Sequence, residues 1–145
     1  MSAAHETDPH STPQDESDLI AARRAKLQVL RQEHGEEPYG RRQDGLVLLS
    51  VARGLFSEDA HVAYDQSTQA RKQDPSATLT DTRPRARVAG RVVQHRDLGK
   101  LVFVWLRDSS GDLQVSISKA EVPEPIFALA KMLDYGDIVV AEGAV

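Results

Sequence analysis

"HRDLGKLVFVWLRDSSGDLQVSIS", residues 95–118, decides the fold. Apolar and polar side chains alternate along it with a period of two, the pattern of a half-buried strand, and Ser109-Ser110-Gly111 interrupts the alternation as a hairpin turn does. Parity then sorts the side chains: Val102, Val104 and Leu106 point one way with Leu113, Val115 and Ile117, while Phe103, Trp105 and Arg107 point the other way with Asp112, Gln114 and Ser116. The first set is a core face. The second places two rings on a polar surface, in a chain with only 5% aromatic residues.

Working outward, "RARVAGRVVQHR" (85–96) reads as a strand in which Gly90 permits a sharp bend or a close backbone approach. Downstream, "PEPIFALAKMLDYG" (123–136) spaces Ile126, Phe127, Ala130 and Leu133 as on a helix, with Gly136 at the expected C-cap, and "DIVVAEGAV" (137–145) resumes a strand. A bent strand, a hairpin, a helix and a fourth strand in that order match a five-stranded Greek-key OB barrel. The expected class is therefore mainly β with a helical N-terminal extension, an OB-fold whose fifth strand is missing from this chain. Because Val145 falls within the fourth strand, a truncated sequence is expected.

Upstream the signals change. Residues 1–17 mix Glu6, Asp8, Asp15 and Glu16 with Pro, Ser and Thr and have no apolar period, so they read as a disordered acidic tail. Residues 18–82 read as the helical extension and 83–145 as the barrel domain. Within the extension, Leu19, Arg23, Lys26, Leu27, Leu30 and His34 form a stripe on a helix over about 18–34, capped by Ser17 or Asp18 and stopped by Gly35 and Pro38. The basic residues Arg23, Arg24 and Arg31 are more simply a solvated face than a phosphate-binding one. "GLVLLSVARGLF" (45–56) fits a short helix or a buried strand; Ser57 caps a helix to about Gln73, which Asp74-Pro75 ends.

Composition limits the function. At 145 residues with 28% charged side chains and a net charge of -4, one modest core with solvated extensions is expected. No stretch approaches the ~20 apolar residues of a membrane span, and residues 1–17 have neither the basic nor the apolar region of a secretory leader, so a cytoplasmic location without membrane contact is expected. The absence of cysteine removes disulfides and thiolate chemistry. No catalytic or phosphate-binding motif occurs, the five histidines never fall at ligand spacing, and His95 reads as a solvated strand-end residue. Catalytic and metal-ligating residues are therefore none. Charge is nevertheless unevenly spread: Arg83, Arg85, Arg87, Arg91, Arg96, Lys100 and Arg107 share residues 83–107 with the single acid Asp97.

Two readings compete for Phe103 and Trp105. They pack beneath the N-terminal helix or residues 39–82 as satellite core, or they form a base-stacking platform beside cations, as on OB sheets that bind single-stranded nucleic acid. The basic span and the barrel favour binding, with Arg91 and Arg107 as accompanying cations.

"VAGRVVQHRDLGKLVFVWLRDSSGDLQVSIS" (88–118) followed by "LDYGDIVVAEGAV" (133–145) resembles the anticodon-binding OB domain of class II lysyl-, aspartyl- and asparaginyl-tRNA synthetases. "RRAKLQVLRQEHGEEPY" (23–39) is similar to the N-terminal helix of the lysyl branch, which favours lysine over the aspartate and asparagine alternatives. The resemblance implies that Phe103 stacks on the central anticodon base, a uridine, that Gln114 hydrogen-bonds that base's edge and that Arg96 contacts the anticodon. It implies a tRNA partner and, for a full-length homodimeric enzyme, ATP and magnesium. The catalytic domain lies outside this sequence, so no cofactor is expected within it. Trp105 stands where the family usually has a small or polar residue, and residues 43–84 match nothing in the commoner lysyl enzymes. Outside this class, the alternative is a free-standing OB protein that binds single strands without catalysis.

Overall fold

The computed structural model describes residues 13–37 and 39–145, with side chains from Ser17 onward. Most of the expected acidic tail lies outside the described residues. Two compact units are present, residues 1–41 and 42–145.

The first unit contains helix α1 (Pro13–Glu33). It begins at Pro13, ahead of the expected cap at Ser17 or Asp18, because proline is tolerated at a helix start, where its missing N–H has no intrahelical partner to lose. Gly35, at φ 66°, takes the left-handed conformation that ends the helix, and the Glu36 N–H returns to the Leu30 carbonyl at 3.0 Å. Leu27, Leu30 and His34 are half-buried, and Arg23, Arg24 and Arg31 are exposed.

The second unit contains α2 (Leu49–Gly54), α3 (Glu58–Gln73), β1 (Arg85–Asp97), β2 (Leu101–Asp108), β3 (Gly111–Ser118), α4 (Glu124–Lys131) and β4 (Ile138–Ala144). The strands form one antiparallel sheet in the order β3-β2-β1-β4. β1 is shared between two partners: Arg85–Arg91 pair with β4, and Arg91–Asp97 pair with β2. Gly90 sits at the changeover, where a Cβ would lie 2.9 Å from Leu106 Cβ and 3.1 Å from the Arg107 carbonyl oxygen. The close approach anticipated there is therefore present. This curled sheet is the OB arrangement, with β3 and β4 at the edges.

Val88, Val92, Val102, Val104 and Leu106 supply the sheet's side of the core, as parity requires. α4 closes it with Phe127 and Ala130, while Ile126 of the expected stripe is half exposed. Gly136 does not cap α4, which ends at Lys131 with Met132 as C-cap; at φ 95° the glycine turns the chain into β4, and its N–H donates to the Val92 carbonyl.

The compact unit reaches back to Arg42, past the expected boundary at residue 83, because α2 completes the barrel core. Leu49 and Ala52 are fully buried with the sheet valines. Both readings of residues 45–56 hold in part: Val47 makes one parallel bridge to Val88, and the helix starts at Leu49. Its own N-cap, Leu48, has no side-chain acceptor, so the barrel supplies one. Asp108 Oδ2 accepts from the Leu49 N–H and Ser110 Oγ from the Ser50 N–H, both at 2.9 Å. α3 follows expectation, with Ser57 accepting from the Ala60 N–H and Asp74 at its end.

Candidate nucleic-acid interface

Strand register arranges the outer face in rows. Arg96 on β1, Phe103 on β2 and Ser116 on β3 lie side by side; Gln94, Trp105 and Gln114 form the next row; Arg91, Arg107 and Asp112 form the third. A bulge between Val92 and Gln94 makes this possible. Without the extra residue, Gln94 and Arg96 would keep Val92's parity and point into the core.

Phe103 and Trp105 are half-buried, their ring centroids 6.3 Å apart and their planes tilted by 46°. Neither belongs to the core cluster, and α2 and α4 contribute their buried residues to the opposite face. The buried residues of these two helices therefore pack on the side of the sheet opposite the rings. Gln114, Ser116, Gln94 and Arg96 are exposed around them. On β4 the same face continues into Ile138 and Val140, paired with Arg91 and Ala89 and 65% and 41% exposed.

The cations divide into two groups. Arg107 donates through Nε and Nη2 to both Asp112 carboxylate oxygens at 2.6 and 2.7 Å, which pulls the Asp112 carboxyl below its ordinary range and raises the guanidinium. Arg87 is held by Gln43 Oε1 at 2.6 Å and the Asp44 carbonyl at 3.0 Å, and Arg83 by a two-pronged pairing with Asp81. Arg91 donates to the Gly136 carbonyl at 3.0 Å and stays exposed. Arg96 and Lys100 have no acidic partner among the described residues. The formally basic span is thus partly neutralised; of its cations without an acidic partner, Arg96 lies beside Phe103, while Arg85, also exposed, sits at the far end of β1 opposite Ala144. Arg91 and Arg107 also border a shallow cleft of about 430 Å³ with Gly90 and Ile138.

The five residues singled out from sequence all lie on this face, with Arg96, Phe103 and Gln114 in adjoining rows. Sequence reasoning missed Gln94, whose side depends on the bulge. His95 is no solvated strand end: it is half-buried on the core side, its Nε2 is 2.9 Å from the Ala130 carbonyl oxygen, and it ties β1 to the end of α4. Next to it, Asp97 pairs with Lys131 at 3.3 Å and accepts from the Gly99 N–H at 2.7 Å; the backbone bond is the larger cause of its lowered pKa. Both flanks of Arg96 are therefore anchored. Among the described residues no group of three His, Asp or Glu side chains could hold a metal ion, and no helix is long and apolar enough to cross a membrane.

Residues 86–145 match the family described as OB-fold nucleic acid binding domain. Over 137 residues the chain is 34% identical to a lysine–tRNA ligase of Bordetella parapertussis, covering 94% of this chain and 24% of that protein. Over 130 residues it is 35% identical to a lysine–tRNA ligase of Nitrosomonas europaea, covering 90% and 22%. An asparaginyl-tRNA synthetase structure from Pyrococcus horikoshii aligns at a TM-score of 0.41 and 37% identity, over 43% of this chain and 14% of that one. The chain spans about a quarter of the length of the curated relatives it matches.

Proposed function

We propose, from the match of residues 86–145 to the family described as OB-fold nucleic acid binding domain, that this chain is the anticodon-binding portion of a lysine–tRNA ligase. The observation that carries the proposal is the placement of Arg96, Phe103 and Gln114 on one exposed face, opposite the core. A ring there offers stacking that any base satisfies. An amide offers one donor and one acceptor in a fixed plane, which a uridine edge matches, and an unpaired guanidinium offers charge to the backbone. Relatives that align along nearly the whole chain and carry the lysine–tRNA ligase name support the choice of amino acid. Lysine activation, its ATP and its magnesium are assigned to no residue of this chain, whose part is to select the tRNA.

The test compares two variants on hairpin RNAs that differ only in the central loop base. Phe103→Ala should weaken binding by roughly 1–3 kcal/mol whatever the base, because stacking tolerates any sequence. Gln114→Ala should weaken binding mainly when that base is uridine, narrowing discrimination more than affinity. Equal loss by Gln114→Ala on all four hairpins would remove the edge-reading role.

A further inference from the structure

We propose that Trp105 is a second base-stacking platform, which takes the nucleotide next to the one on Phe103 and holds it splayed away from its neighbour; the inference rests on the anticodon-binding reading above. Phe103 and Trp105 face the same way from one strand, with centroids 6.3 Å apart and planes inclined at 46°. Bases stacked on each other in a helical strand rise about 3.4 Å per nucleotide. Two bases lying on these two rings therefore cannot stay stacked on one another. Each must occupy its own ring along an extended backbone, the manner in which aromatic side chains bind unstacked single strands.

The row containing Trp105 is equipped for that role. Gln94 and Gln114 are its direct cross-strand neighbours and both are exposed, so an amide stands on each side of the indole. Gln114 lies opposite Trp105 and diagonally from Phe103, within reach of the edge of a base on either ring. Arg96 at one end and Arg91 at the other stay exposed along the β1 side of the two rings, positions suited to the phosphates that flank the two nucleotides. Arg107, held by both Asp112 oxygens, serves to fix the wall beyond the indole.

Trp105 is the chain's only tryptophan, so its fluorescence reports on this site alone. The 145-residue chain should be titrated with a hairpin RNA carrying uridines at the loop centre, and with versions in which the central nucleotide or either neighbour is abasic. Trp105 emission should be quenched at saturation by the intact hairpin. One of the neighbour-abasic hairpins should leave the emission unquenched while its binding stays sensitive to Phe103→Ala. Trp105→Thr should weaken binding of the intact hairpin by roughly 5- to 150-fold, the equivalent of one stacked base, and Trp105→Phe by less than tenfold. Binding that Phe103→Ala weakens but that leaves Trp105 emission unchanged would overturn the second platform and spare the anticodon reading. Failure of every hairpin to bind would overturn both. Should Trp105→Thr lose its circular dichroism spectrum, the wild-type emission and the abasic series decide the matter without it.

Discussion

Gly90 carries a large consequence for a residue without a side chain. β1 leaves β4 and joins β2 at this point, and the close approach of Leu106 and the Arg107 backbone fills the space a Cβ would need. Leu106 Cβ, at 2.9 Å, is fixed to its own backbone and cannot rotate aside. Gly90→Ala is therefore expected to lower stability by about 1–3 kcal/mol, the usual cost of overpacking a tight contact, as read from urea denaturation. An unchanged midpoint would show that the two strands can part there without loss. The same substitution should displace Arg107, and with it the wall beside Trp105.

At the scale of elements, residues 43–84 are attached to the barrel by polar contacts as well as by the burial of Leu49 and Ala52. One attachment is the acceptor that Asp108 gives the start of α2; hydrogen bonds from Ser110 and from the Leu49 N–H hold its carboxyl below the ordinary carboxylate range. Another is the Tyr64 hydroxyl of α3, which donates to Glu121 Oε1 at 3.3 Å; within the segment itself, Arg83 lies 3.5 Å over the Tyr64 ring and pairs with Asp81. That pairing lowers Asp81 to about 2. Since an unfolded aspartate titrates near pH 3.9, the stabilisation is fully present above about pH 4 and is lost as the pH falls through about 2. Asp81→Asn should accordingly be less stable than wild type at neutral pH, with the difference closing between pH 4 and 2 in thermal melts. A difference that persists at pH 2 would mean that the amide disturbs the loop for reasons unrelated to charge.

For the whole molecule, the pairing of cations sets the salt dependence of binding. If every arginine and lysine of residues 83–107 met a phosphate, the log–log slope of affinity against salt would approach about -5, at about -0.7 per phosphate on a single strand. With Arg83, Arg87 and Arg107 committed to protein partners, Arg85 at the far end of β1 and the exposed charge near the rings limited to Arg91, Arg96 and Lys100, a slope of about -2 is expected. Measuring hairpin affinity from low to moderate salt tests this directly. A slope near -5 would mean that the committed cations exchange their carboxylates for phosphates on binding.

The alternation in residues 95–118 was enough to determine the hairpin, the two faces and the company of Phe103, Trp105 and Gln114, because a strand's period of two leaves side-chain direction no freedom. Ser57 and Asp74-Pro75 likewise marked the limits of α3, since capping and proline restriction act locally. What the sequence could not settle depended on contacts between distant segments. The bulge that turns Gln94 and Arg96 outward exists only in the pairing of β1 with β2. The burial of α2 depends on an acceptor 59 residues further along the chain. The shortening of α4 and the use of Gly136 in a turn follow from the Val92 carbonyl that receives its N–H. Which cations remain available is again a tertiary matter, because an arginine's charge is fixed by composition and its partner by the residues that folding brings within reach.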